Sequence, residues 1–278
     1  MKDQELKNAV RESYSRVAKN ATSCCSPGCC GSAKPERISK KIGYTQEQMQ
    51  AVPEESNLGL GCGNPVALAS LKEGETVLDL GSGGGFDCFL ASKIVGRKGK
   101  VIGVDMTEEM LARARANAEK GEYGNVEFRL GDIEALPVED NSVDIIISNC
   151  VINLVPSKEK AFREAFRVLR PGGRLMVSDI VLKKRLPDFI KQSIEAYVGC
   201  VAGALRKDKY LDAIKSAGFE DVRVIEESDF PLDCMTNDPT GQAILKSLQG
   251  SAEEIKKVEG SISSVKVSGF KPSQTFIN

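Results

Sequence analysis

The stretch Val77–Phe86, V-L-D-L-G-S-G-G-G-F, constrains the fold more than any other part of the chain. Three apolar residues, Val77, Leu78 and Leu80, flank Asp79 and run into four glycines within five positions. A short apolar run that breaks into glycine reads as a buried parallel strand entering a turn. Gly81 and Gly83, on either side of Ser82, remove Cβ, so the backbone can bend sharply and approach a ligand closely. Phe86, Phe89, Leu90 and Ile94 recur at helical spacing. The turn therefore opens a helix, Asp87–Val95, whose free N–H groups face the ligand. Strand and helix patterns then alternate as Lys100–Val104, Thr107–Lys120, Val126–Leu130, Val143–Ser148, Lys158–Leu169 and Leu175–Ile180. That order predicts an α/β fold with a doubly wound, mostly parallel sheet and right-handed crossovers.

A glycine-rich turn of this kind fits several nucleotide cofactors, and a purely structural tight turn is the alternative. The dinucleotide fingerprint G-x-G-x-x-G wants a third glycine where this chain has Phe86, which argues against a pyrophosphate ligand. Asp105, followed by Met106, sits at the tip of the second strand, 24 residues after Gly81. It is placed to accept hydrogen bonds from both hydroxyls of a ribose, or to cap the helix that follows. Asp132 and Ile133, after the third strand, suit the exocyclic amine and the ring of adenine. Asn149-Cys150 closes the fourth strand, and ligands of open α/β sheets bind outside the carboxyl ends of strands. Cys150 reads either as a functional thiol there or as a core cysteine.

The 278 residues contain nine cysteines and no histidine, so the commonest general base near neutral pH is missing. Cys24, Cys25, Cys29 and Cys30 crowd a Pro/Gly loop and suit a soft ion or disulfide exchange. They lack the layout of a zinc ribbon, and a surface tail without a site is the bland reading. Cys62 lies in the middle of N-L-G-L-G-C-G-N-P, a loop by composition. Leu186–Val201 reads as one helix with Ile190, Ile194, Tyr197 and Val198 on one face, ending in Gly199-Cys200. Cys88 and Cys234 read as structural. Net charge is −1, which gives no electrostatic footprint for nucleic acid or an anionic membrane. No apolar run approaches the ~20 residues of a membrane span. Met1–Asn20 reads as an amphipathic helix without the apolar core of a signal peptide. A cytoplasmic monomer with reduced thiols is expected.

Asp79-Leu80-Gly81-Ser82-Gly83-Gly84-Gly85 resembles motif I of class I S-adenosylmethionine-dependent methyltransferases. The phrases N-L-G-L-G-C-G-N-P, I-S-N-C-V-I-N-L and Y-V-G-C-V-A-G-A-L add three loop thiols. Together they resemble arsenite S-adenosylmethionine methyltransferases, from roughly Gly43 to Val224. The resemblance implies S-adenosyl-L-methionine as cofactor, bordered by Tyr44, Asp79, Gly81, Ser82, Gly83, Asp105, Met106, Asp132, Ile133 and Asn149. It implies Cys62, Cys150 and Cys200 as the thiolates that hold As(III). It also implies a disulfide relay to Cys24, Cys25, Cys29 or Cys30, arsenite or its thiol conjugates as substrate, and a dithiol reductant from the thioredoxin or glutathione system. The expected division is 1–42 for the N-terminal helix and Cys-rich loop, 43–185 for the cofactor domain, and 186–278 for a smaller α+β segment closing over the acceptor. The arsenic lone pair carries no proton, so this chemistry needs no general base, in keeping with the absence of histidine. The rivals are methylation of a small organic acceptor, such as a quinone or sterol, and a non-catalytic thiol sensor of metalloid or zinc.

Overall fold

The computed structural model describes residues 3–20, 35–186, 188–191, 193–229 and 260–273. Cys24, Cys25, Cys29, Cys30 and Cys234 lie outside them, as does the helical patch that the sequence suggests near 243–257. The described chain runs α1 (Asp3–Asn20), α2 (Pro35–Lys41), α3 (Gln46–Gln50), a 3-10 turn at Glu54–Ser56, and α4 (Pro65–Leu68). It continues β1 (Thr76–Leu80), α5 (Phe86–Val95), β2 (Lys100–Asp105), α6 (Glu108–Lys120), β3 (Val126–Leu130) and β4 (Val143–Asn149). A second 3-10 turn, Ile152–Leu154, precedes α7 (Lys158–Val168) and β5 (Leu169–Leu182). The last described elements are α8 (Asp188–Lys191), α9 (Ile194–Val198), α10 (Lys207–Ser216), β6 (Glu220–Asp229) and β7 (Ile262–Phe270).

The strands form one seven-stranded sheet in the order β3-β2-β1-β4-β5-β7-β6. β1 to β5 pair in parallel, and β7 runs antiparallel between β5 and β6. Alternation along each strand sends side chains to opposite faces. Val77, Val101, Ile145 and Ile147 pack with Phe89 and Leu111 on the α5/α6 side. Leu78, Ile102 and Ile146 pack with Phe162, Tyr210 and Ile214 on the α7/α10 side. Burying each such large side chain stabilises the fold by about 1.5–3 kcal/mol. Chain order reverses between β1 and β4, whose register brings Leu80 beside Ser148. The crevice beyond their carboxyl ends is the expected ligand site of such a sheet. A third cluster covers it: Val10 of α1, Leu154, Ile180, Leu186, Ile190 and Ala196 surround Cys62 and Cys200.

Three local expectations change. The helix expected over Leu186–Val201 is interrupted, and α9 restarts where the Ser193 hydroxyl accepts the N–H of Ala196 at 3.1 Å. Ile194 is thereby 44% exposed, whereas Ile190 and Tyr197 are buried. The sequence also predicts a short helix over Ala67–Leu71 ahead of the first strand; it runs instead from Pro65 to Leu68, because Asn64 accepts the N–H of Ala67 and Pro65 supplies a preset φ at the first turn. Strand five extends back through R-P-G-G-R to Leu169: Val143 pairs with Leu169, and after an irregularity Ile145 pairs with Arg174.

Candidate active site

The glycine turn after β1 has the conformation that only glycine adopts without strain. Gly81 has φ +71°, and a Cβ there would lie 2.4 Å from the Val151 side chain. Gly83 has φ +51° and donates its N–H to Asp105 Oδ2 at 2.9 Å. Asp105 Oδ1 accepts the N–H of Thr107 at 2.8 Å. The carboxylate therefore fastens both the glycine turn and the start of α6 at the edge of the cavity.

The cavity is lined by Tyr44, Asp79, Gly81, Ser82, Gly83, Asp105, Met106, Asp132, Ile133 and Asn149, the ten residues expected at the cofactor. Its floor is acidic. Burial, then the neighbouring charge of Asp87, pushes the Asp79 carboxyl well above the usual carboxylate range. Asp87 is raised to about 6 by burial, against the pull of hydrogen bonds from Tyr44 and Asn149. The Tyr44 hydroxyl donates to Asp87 Oδ1 at 2.7 Å. Asp105 is also raised by burial. Ser82 Oγ is buried without a protein partner. At the far end, Lys7 of α1 pairs with Asp132 Oδ2 at 2.5 Å and with Glu134. A helix not anticipated over this pocket therefore holds the Asp132 carboxylate at its edge.

Asn149 joins this floor to the thiols. Its Nδ2 donates to Tyr44 Oη (2.9 Å), Gly63 O (2.8 Å) and Asp87 Oδ2 (3.2 Å). Its Oδ1 accepts the N–H of Cys62 at 3.1 Å. Ser264 of β7 donates to Cys62 O at 2.7 Å, fixing the same loop from the other side. Cys200 Sγ donates to Cys150 O at 2.8 Å. The Cys150 thiol is held well above the ordinary thiol range by hydrogen bonding to Cys200 and to Cys62, and by burial. Three cysteines that lie 88 and 50 residues apart in sequence thus meet beside the acidic cavity, and Cys150 and Cys200 line it directly. Cys150 and Cys200 both have left-handed backbone, φ +60° and +66°, a conformation held here by the surrounding contacts. Cys88 is buried elsewhere and donates to Asp79 Oδ2 at 3.2 Å, a structural role.

Several known proteins are similar to this chain in sequence and fold. A family profile described as a methyltransferase domain matches residues 71–218. The arsenite methyltransferase of Halobacterium salinarum is 46% identical over 235 residues, covering 81% of this chain and 60% of that protein. The human arsenite methyltransferase is 36% identical over 235 residues, covering 81% and 61%. The crystal structure of an arsenic(III) S-adenosylmethionine methyltransferase from Chlamydomonas reinhardtii is 32% identical, with a TM-score of 0.64 over 86% of this chain and 75% of that one. The chain belongs to the arsenite methyltransferase family. It spans about three fifths of the length of the curated family members it matches.

Two acids of this region stand outside the set of site residues expected from sequence. Asp87, the first residue of the helix expected over Asp87–Val95, is the acid that Tyr44 and Asn149 both engage. Asp179 is fully buried in β5, and its carboxyl is raised to about 7 by that burial. Its ligand atoms and those of Cys62 and Cys150 all lie within 4.8 Å of one another. The available signal was an acid inside the apolar run L-M-V-S-D-I-V-L, at the carboxyl end of a strand.

Proposed function

We propose that the chain transfers methyl groups from S-adenosylmethionine to trivalent arsenic held by Cys62, Cys150 and Cys200. The observation that carries this reading is the meeting of three thiols at the wall of the acidic cavity. A small organic acceptor has no use for three soft donors, and As(III) does. The cavity fits the cofactor on its own chemistry. A ligand carrying an ammonium and a sulfonium gains from the carboxylates of Asp79, Asp87 and Asp105, ribose hydroxyls have Asp105 as acceptor, and Ser82 Oγ awaits a partner. When bound, S-adenosylmethionine supplies an electrophilic methyl group.

The protein's own task is to present arsenic. Each thiol proton leaves with a hydroxide of arsenous acid as water while an As–S bond forms. The three thiolates leave the arsenic lone pair as the nucleophile and raise its electron density. Asn149 couples acceptor and cofactor by holding the Cys62 loop and the Tyr44–Asp87 pair with one side chain. This fixes the approach geometry on which such a transfer depends. The stretch 186–203 serves as lid on the acceptor side, and Cys24, Cys25, Cys29 and Cys30 serve as relay thiols reset by a dithiol reductant. The deciding experiment incubates the protein with arsenite, methyl-labelled cofactor and a dithiol. Labelled methylarsenicals by mass spectrometry support the reading; cofactor turnover that ignores arsenite overturns it.

A further inference from the structure

We propose that Cys62, Cys150 and Asp179 also form a site for a divalent thiophilic cation, with zinc(II) the best match to the donor set. Two sulfurs and a carboxylate oxygen, buried and within 4.8 Å of one another, are three corners of a tetrahedron. Drawing them to the ~3.5–3.8 Å that zinc–ligand bonds of 2.0–2.3 Å impose takes a closure of at most about 1 Å. Trivalent arsenic is satisfied by three soft sulfurs and does not need the harder carboxylate, whereas zinc accepts both. Asp179 has no part in cofactor binding or in the thiolate set described above.

Its carboxylate is also prepared for a ligand role. Among the described residues, Oδ1 accepts the Asn153 amide at 2.8 Å and the N–H of Ile180 at 2.8 Å. Oδ2 accepts the Tyr210 hydroxyl at 3.2 Å, which leaves it a lone pair for a cation. Such outer partners orient metal ligands. Two thiolates and a carboxylate around zinc leave one net negative charge. Lys158, whose charge acts on Asp179, is buried close by and donates to the carbonyls of Asn153 and Val155. Two thiol protons leave to solvent as the ion binds. Zinc and trivalent arsenic would then share Cys62 and Cys150 and exclude each other, a consequence that rests on the arsenic reading; the zinc site itself does not.

The test uses the 278-residue chain with Cys24→Ser, Cys25→Ser, Cys29→Ser, Cys30→Ser and Cys234→Ser, which removes competing thiols. Titration with zinc against a chromophoric chelator should show one equivalent bound. Cobalt(II) in its place should give the charge-transfer intensity of two cobalt–thiolate bonds. Asp179→Asn should weaken zinc by at least about tenfold, as expected for losing a ligand, and by clearly more than Cys200→Ser, which removes only a neighbour of Cys150. No stoichiometric zinc, a three-thiolate cobalt spectrum, or an equal loss in Cys200→Ser and Asp179→Asn would overturn the site. The cobalt spectrum decides the matter without any Asp179 variant, should that variant fail to fold. Arsenite added to the zinc-loaded protein should release the metal. If zinc binds as described and arsenite does not displace it, the arsenic reading fails and the zinc site stands.

Discussion

Single side chains set both halves of the site, and their pH behaviour differs from that of surface carboxylates. Asp87 is raised from 3.8 to about 6. Between those values the folded protein keeps a proton that the unfolded chain has released, so this group lowers stability as pH rises through that window. Cofactor binding has the opposite sign, because a cationic ligand gains only from the ionised form. Affinity for S-adenosylmethionine measured by calorimetry should therefore fall as pH is lowered through about 6. Asp87→Asn should bind more weakly at neutral pH and flatten that step. An unaltered pH profile in the variant would remove Asp87 from the cofactor's electrostatics. Gly81→Ala combines left-handed strain with a Cβ 2.4 Å from Val151. It should cost about 2–4 kcal/mol, read as a lowered melting temperature. Cys62→Ser should abolish methylation of arsenite and spare part of the methylation of a monomethylated trivalent arsenical, which has two exchangeable positions for Cys150 and Cys200. Equal loss of both activities would make Cys62 a constant ligand.

At the scale of elements, the strands and the glycine turn were legible because apolar alternation and missing Cβ atoms act locally. The break before α9 was not. Ile190, Ile194, Tyr197 and Val198 fit one helical stripe, and the restart rests on a single serine cap. Ser193→Ala should destabilise α9 by about 0.5–2 kcal/mol, the usual value of a cap. Faster amide exchange confined to 194–198 is the expected signature, and unchanged exchange there would show that packing of Ala196 and Tyr197 alone sets the helix. The lid role makes a further demand: arsenite should slow exchange across 186–203, and Cys200→Ser should eliminate the slowing. The candidate thiols were readable from their loop phrases. Their acidic companions were not, because Asp87 and Asp179 look like a helix start and a strand residue until the sheet brings the first to the cavity and the second beside Cys62 and Cys150.

The whole molecule joins distant segments at one crevice, and β7 is the strand whose place local pattern could least reveal. Ser264–Ser268 reads as a short strand, yet Ile262–Phe270 lies inside the sheet, flanked by β5 and β6 along most of its length. Ser264 of that strand holds the Cys62 carbonyl. Ser264→Val preserves the strand's apolar fit and removes this bond. Cofactor affinity should persist and arsenite affinity should fall, and equal loss of both would show that the sheet itself had failed. The same placement carries a consequence for biosynthesis. A ribosome makes β1 to β6 before it makes β7, and domains begin to fold from the amino-terminal side during synthesis. A nascent chain can therefore assemble the glycine turn and its acid floor while Cys62 still lacks its anchor. The Cys62 loop gains its second tether, the Ser264 hydroxyl on the Cys62 carbonyl, only when the last described strand slots in, so the thiol side of the crevice is the last part of the sheet's ligand face to be completed.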